Sequence, residues 1–268
     1  MAEPKKKKII SADTGEDVTN EKRKQAVVEA KPVGNATGLR IGAAILWLLA
    51  ITFEVLALLV LYGKIDMKFM PGLYQIILFI VLDLICLVIG SQLWKKSNHI
   101  APASKKNPTL FWLHNNLGLI VTVIAFVPLI ILILTNKEAD KKTKTIATVV
   151  AVIALLLGGV SSYDFNPISL EEQQAAEQVI TGSVYWSPYG KVYHTHDDCQ
   201  ALNQSEQLTT GDVDQAIAAG RTRLCSFCAK RDAIDTEGLL TDNVDVSDYI
   251  PEETVEDVED EAEEEPAA

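Results

Sequence analysis

The chain has 268 residues, 48% of them hydrophobic, and a formal charge of −12. Fifteen of the 36 Asp and Glu fall after Asp232, where there is no Lys or Arg, so residues 1–232 carry a net +3. These totals exclude a protein that is acidic throughout, and they leave room for one small water-exposed domain beside a long apolar block.

In chain order, residues 1–38 are polar, with a basic run at Lys5–Lys8 and a second charged cluster at Glu21–Lys24. Such a composition buries too little apolar surface to offset its ordering entropy, so a disordered basic segment is expected. Its lysines would be drawn to anionic lipid at the cytoplasmic leaflet, at about 1 kcal/mol per basic residue.

Four apolar runs follow, at residues 39–62, 73–94, 110–135 and 145–163. A helix of roughly 20 mainly apolar residues spans about 30 Å of hydrocarbon. The runs are apolar on all sides, which excludes the one-sided pattern of a soluble helix. The expected architecture is an α-helical membrane bundle of four transmembrane helices, with the lipid bilayer as its surroundings. The first run starts near residue 41, far behind a cleavable leader, and is expected to act as an uncleaved anchor.

Within the spans, Glu54 and Asp83 lie near the middle of the first and second runs. A charge at the bilayer centre costs about 2.5–3.5 kcal/mol on insertion scales, so such acids face the bundle interior. They form either a shared proton or cation site, or neutral carboxyls bonded to neighbours such as Thr52, Gln75 or Thr122. His114, Asn115 and Asn116 open the third run at the expected cytoplasmic surface, and Pro128 interrupts its hydrogen-bond ladder. Ala147, Ala151, Ala154, Gly158 and Gly159 give the fourth run a face for close helix packing. Trp94 and Trp112 fit the aromatic belt, whereas Trp47 lies deeper.

Lys and Arg concentrate in the N-terminal segment and in residues 95–109, which predicts both termini on the cytoplasmic side of the cell membrane. The basic loop Asn136–Lys144 runs against that rule. After Tyr163, Ser169 and Glu172 have capping-box spacing, so residues 164–181 are expected to carry a linker helix, Leu170–Ile180.

Residues 182–232 read as a small α+β domain. Val184–Trp186 and Val192–His194 have strand character around a Ser-Pro-Tyr-Gly turn, and a helix over Asp212–Ala219 ends at Gly220. His194 and Cys199, then Cys225 and Cys228, supply two ligand pairs with the donor types of a tetrahedral structural zinc site. A domain of this size has too small a core to fold unaided, and Zn²⁺ would replace part of it. Cys86 lies inside the second run, leaving an odd number of soluble cysteines and disfavouring a disulfide framework. A redox C-x-x-C is the competing reading, and His196 rivals His194 as ligand. Residues 233–268 read as a disordered acidic tail.

The run Tyr193-His194…Cys199…Ala216–Gly220…Arg223-Leu224-Cys225-Ser226-Phe227-Cys228 resembles the Ada-type metal-binding module of bacterial DNA-repair proteins. The resemblance covers about one fifth of the chain and implies a bacterial source, a zinc ion and a small α+β fold. In the repair proteins a zinc-bound cysteine near the start of the motif accepts a methyl group. Here His194 takes that first position, so methyl transfer is not implied and Cys199 is expected to be a structural ligand.

Across Ser183–Asp232, five Lys and Arg face six Asp and Glu, so a nucleic-acid partner is not expected. No catalytic constellation stands out. The leading expectation is a non-enzymatic membrane protein presenting a zinc-stabilised module for interaction or regulation, its protein partner meeting the module or the acidic tail. Two others stand beside it: a small transporter or channel component using Glu54 and Asp83, and a DNA-linked sensor or repair-related protein. The sequence leaves the oligomeric state open.

Overall fold

A computed structural model describes residues 7–19, 34–68 and 70–244. Most of the expected acidic tail, residues 20–33 and residues 1–6 lie outside the described residues. The chain runs through strand β1 (Lys8–Ser11) and helices α1 (Ala36–Leu61), α2 (Gly72–Ile100), α3 (Pro108–Asn115), α4 (Leu117–Thr135), α5 (Lys141–Ser162) and α6 (Leu170–Val179). There follow β2 (Val184–Trp186), β3 (Val192–Tyr193), a short 3₁₀ turn at Gln200–Leu202, β4 (Gln207–Gly211), α7 (Val213–Ala218), β5 (Arg223–Leu224) and α8 (Ser226–Arg231).

Helices α1, α2, α4 and α5 are long and apolar enough to cross a membrane. The starts of α1 and α5 are fixed by polar caps. The Asn35 side chain accepts from the Gly38 amide and the Asp140 side chain from the Thr143 amide, satisfying donors that a helix start leaves orphaned. The Asp140 cap also starts the fourth span at Lys141, one turn before the expected residue 145. The third run is not one helix, as its hydropathy implied, but two. Asn115 and Asn116 turn their side-chain amides back onto the carbonyls of Phe111 and Trp112, at 3.0 and 2.9 Å, and the chain breaks at Asn116. Side chains that bond their own backbone compete with helix propagation.

The bundle interior is built by Ala43, Ala50, Phe126, Leu129, Ile133, Ala147 and Ala151, all buried. Since lipid is as apolar as these side chains, close packing and dispersion hold the helices together. Gly158 shows how close: a Cβ there would lie 3.0 Å from Thr122 Cγ2 and 3.3 Å from Leu84 Cδ1. The outward face carries exposed Leu48 (66%) and Ile124 (67%), unfavourable in water but suited to hydrocarbon.

The water-exposed module has two small sheets. One has the order β1-β4-β2, with β1 parallel and β2 antiparallel to β4; the other pairs β3 with β5 in parallel. The expected hairpin survives as a single bridge, in which the Tyr185 and His194 amides and carbonyls exchange bonds of 2.7 and 2.8 Å. Beyond that bridge the two strands part to separate sheets.

Two boundaries differ from the sequence expectation. Within the segment expected to be disordered, Lys8–Ser11 pair with Gln207–Thr210, and Ile9 packs against the module's core. At the other end, residues 233–244 continue the fold: the Leu224 amide donates to the Leu240 carbonyl at 2.7 Å, and Leu239 and Leu240 pack on the core. The module is therefore assembled from both ends of the chain. Because β1 precedes the first candidate span and β4 follows the fourth, the two flanks of the bundle meet in one sheet.

The module is seated on the bundle. His99, at the end of α2, lies 3.2 Å from the buried Asp164 carboxylate, and Gly220, at φ +83°, ends α7 with its Cα facing the His99 ring. That left-handed backbone suits glycine. Helix α6 has the expected capping box, and its N-terminal end holds the loop before α3. There the Leu170 amide donates to the Ala103 carbonyl at 3.1 Å, and Lys105 pairs with Glu172 at 2.8 Å.

Candidate metal centre

His194, Cys199, Cys225 and Cys228 converge in the module, each buried, with ligand atoms all within 4.8 Å of one another. The convergence follows from local structure. The Tyr185 bridge holds His194 at the end of β3, and the chain then loops over to Cys199, which precedes the 3₁₀ turn. Parallel pairing of β3 with β5 brings Cys225 beside Tyr193, whose carbonyl accepts from the Cys225 amide at 3.0 Å. Cys225 is the N-cap of α8 and Cys228 lies one turn on, so both sulfurs reach the same point.

Cys199 Sγ and Cys225 Sγ are 3.9 Å apart, and Cys228 Sγ is 3.8 Å from His194 Nδ1. A tetrahedron with metal–sulfur bonds of about 2.3 Å and a metal–nitrogen bond of about 2.0–2.1 Å has edges of about 3.8 and 3.6 Å. The donor set therefore fits a four-coordinate ion, and its four places are filled by protein atoms.

The electrostatics agree. Hydrogen bonds from the Cys199 and Cys225 thiols hold the Cys228 sulfur far below the ordinary thiol range. The same donation to Cys199 and Cys228 pushes Cys225 far up. Cys225 favours the Cys199 thiolate, but Cys228 and burial outweigh it and push Cys199 up to about 11. Three buried sulfurs so close together oppose one another's ionisation, and a cation is what would ionise all of them.

Neighbours brace the loop that carries the first ligand pair. His196 Nε2 lies 2.5 Å from Asp232 Oδ1, and the Thr195 hydroxyl donates to Asp232 Oδ2 at 2.5 Å. His196 is thus turned toward the end of α8, and His194, its rival, occupies the ligand cluster. Arg231 pairs with Asp198 at 2.9 Å, and Lys7 donates to the Asp197 carbonyl at 3.0 Å. Asp242 Oδ1 accepts from the Ser226 amide at 3.0 Å and from its hydroxyl, capping the knuckle helix. Sequence reasoning missed Asp232 and Asp242. Their only signal was an acid just past each apolar or knuckle segment, which is common on solvated surfaces.

The intramembrane acids lie elsewhere, on α1 and α2. Asp83 is fully buried and neither carboxyl oxygen has a hydrogen-bond partner among the described residues; Glu54 is half-buried. The neighbours expected to bond them are otherwise engaged. Thr52 donates to Leu48, Gln75 binds Asp66, Met67 and Met70, and Thr122 bonds Gly118 and Ser162.

In comparisons with protein-family models, curated proteins and solved structures, nothing matches this chain.

Proposed function

We propose that the module holds one structural Zn²⁺ through His194, Cys199, Cys225 and Cys228, and that the protein presents this zinc-stabilised surface beside the membrane for recognition of a protein partner. The observation that carries the reading is the closed set of four buried ligand atoms within 4.8 Å of one another. Thiolate and imidazole are the donors of structural zinc, and a set that among the described residues has no carboxylate and no fifth group leaves no position for a reacting water. The likeness to the Ada-type module supports zinc and a non-catalytic role for Cys199. The seating of the module on α2 and α6 supports a fixed presentation, since α6 is also tied to α7 by Gln173 donating to Asp214 at 3.0 Å. The cytoplasm is the proposed side, on the lysines of residues 7–8 and 95–106 that share the module's face.

Cross-linking in native membranes followed by capture of the full chain tests the role. A specific partner is expected with the wild type and is lost in the Cys225→Ser, Cys228→Ser double variant. An unchanged partner set removes the module as recognition element.

Asp83 favours a second reading, an intramembrane proton or cation site. A buried carboxyl without a hydrogen bond is costly unless neutral or occupied. In proteoliposomes, Asp83→Asn is then expected to abolish a proton or cation flux that the wild type shows; equal fluxes reject this reading.

A further inference from the structure

We propose that a cavity at the membrane surface, between the end of α2, the loop 101–107 and α3, binds an anionic phospholipid, one acyl chain inside and the phosphate at Lys106. The inference does not rest on the metal. The cavity has a volume of about 640 Å³, within the range of roughly 300–1,000 Å³ usual for ligand sites. Its walls are largely apolar, formed by Trp94, Phe111 and Leu117, and Lys106 lines it at the loop end.

Two observations select the occupant. The first is what meets the opening. Leu110 also lines the cavity and is 59% exposed, and Trp112, next along the same helix, is exposed as well. Trp94 and Trp112 fit the aromatic belt of a membrane interface, which would place lipid at this opening. An apolar space of this kind suits hydrocarbon, because water there would find few polar partners.

The second is charge. Lys106 and Lys105 stand in the loop, Lys95 and Lys96 follow Trp94, and the Arg40 guanidinium sits 5.7 Å from the Trp94 ring centre. Against these five cations stand three carboxylates: Glu171 is held by Ser104 and the Lys105 amide, Glu172 by the Lys105 ammonium, and Asp164 lies beside His99 and Lys95, whose ammonium donates to the Ser161 carbonyl. A net positive rim around an apolar slot is complementary to an amphiphile with an anionic head. Because Ala103 and Ser104 are bonded to α6, filling the slot would also brace the module's seat.

Native mass spectrometry of the full chain, released from detergent with equimolar phosphatidylglycerol and phosphatidylcholine, tests this. The wild type is expected to retain one phosphatidylglycerol with at least about fivefold preference, the effect of one basic residue at a membrane surface. Ala103→Trp, which fills the slot, is expected to lose retention of both lipids. Lys106→Glu is expected to keep a lipid but lose the preference. Wild-type retention of neither lipid, equal retention of both, or full retention by a helical, monodisperse Ala103→Trp overturns the site. If Ala103→Trp does not fold, an unchanged preference in Lys106→Glu overturns it instead.

Discussion

Replacing Cys228 by Ser is expected to release the ion and unfold the module, while the four long helices persist. In zinc-stabilised domains metal binding contributes about 10–16 kcal/mol of apparent folding free energy, more than a core of this size supplies. Cys225 and Cys228 are essentially unexposed, so a shorter serine hydroxyl would leave a gap and a poor ligand. The buried Trp186 of β2 reports the result: its emission is expected to shift to the red, and the amides of β2 and β4 to lose exchange protection. Cys86→Ser, in α2 away from the ligand cluster, is the control and is expected to change neither signal. Protected β2 and β4 amides in a metal-free Cys228→Ser protein would show that the apolar core suffices.

The second large effect is expected at the other end of the chain. Ile9→Asp, on β1, places a charge against the module's core and removes apolar burial there, for an expected loss of about 2–4 kcal/mol. It also frees one edge of β4, since β1 covers four of its residues, Gln207–Thr210. A freed edge invites association with other chains. Chemical denaturation of the full chain, followed through Trp186, measures the loss, and a change below about 0.5 kcal/mol would mean that β1 is an ornament of the sheet. The same topology predicts that a fragment cut at residues 182–232 underperforms the full chain, because it lacks both β1 and the Leu239–Asp242 strip.

What the sequence disclosed divides along physical lines. The spans were legible because hydrocarbon demands length and uniform apolarity, and both can be read locally. The four candidate ligands were legible because a metal imposes donor types and pairwise spacing, and the capping box at Ser169 obeys a local rule as well. Strand β1 was not legible: Ile9 and Ile10 are a lone apolar pair after a lysine run, and their partners lie about two hundred residues on. The break at Asn116 was signalled by two adjacent asparagines, but the hydropathy of the run outweighed them. Asp232 and Asp242 act through partners that no local pattern reveals. The partners the sequence suggested for Asp83 were not legible either: Thr52, Gln75 and Thr122 donate their hydrogen bonds elsewhere.

The most direct measurement is the metal content of the purified full-length chain by elemental mass spectrometry, before and after chelation, with exchange protection of β2 and β4 followed in parallel. One zinc per chain, lost to a strong chelator together with that protection, is the predicted result. A chain without bound metal, or a module whose protection survives complete removal of it, would contradict the account.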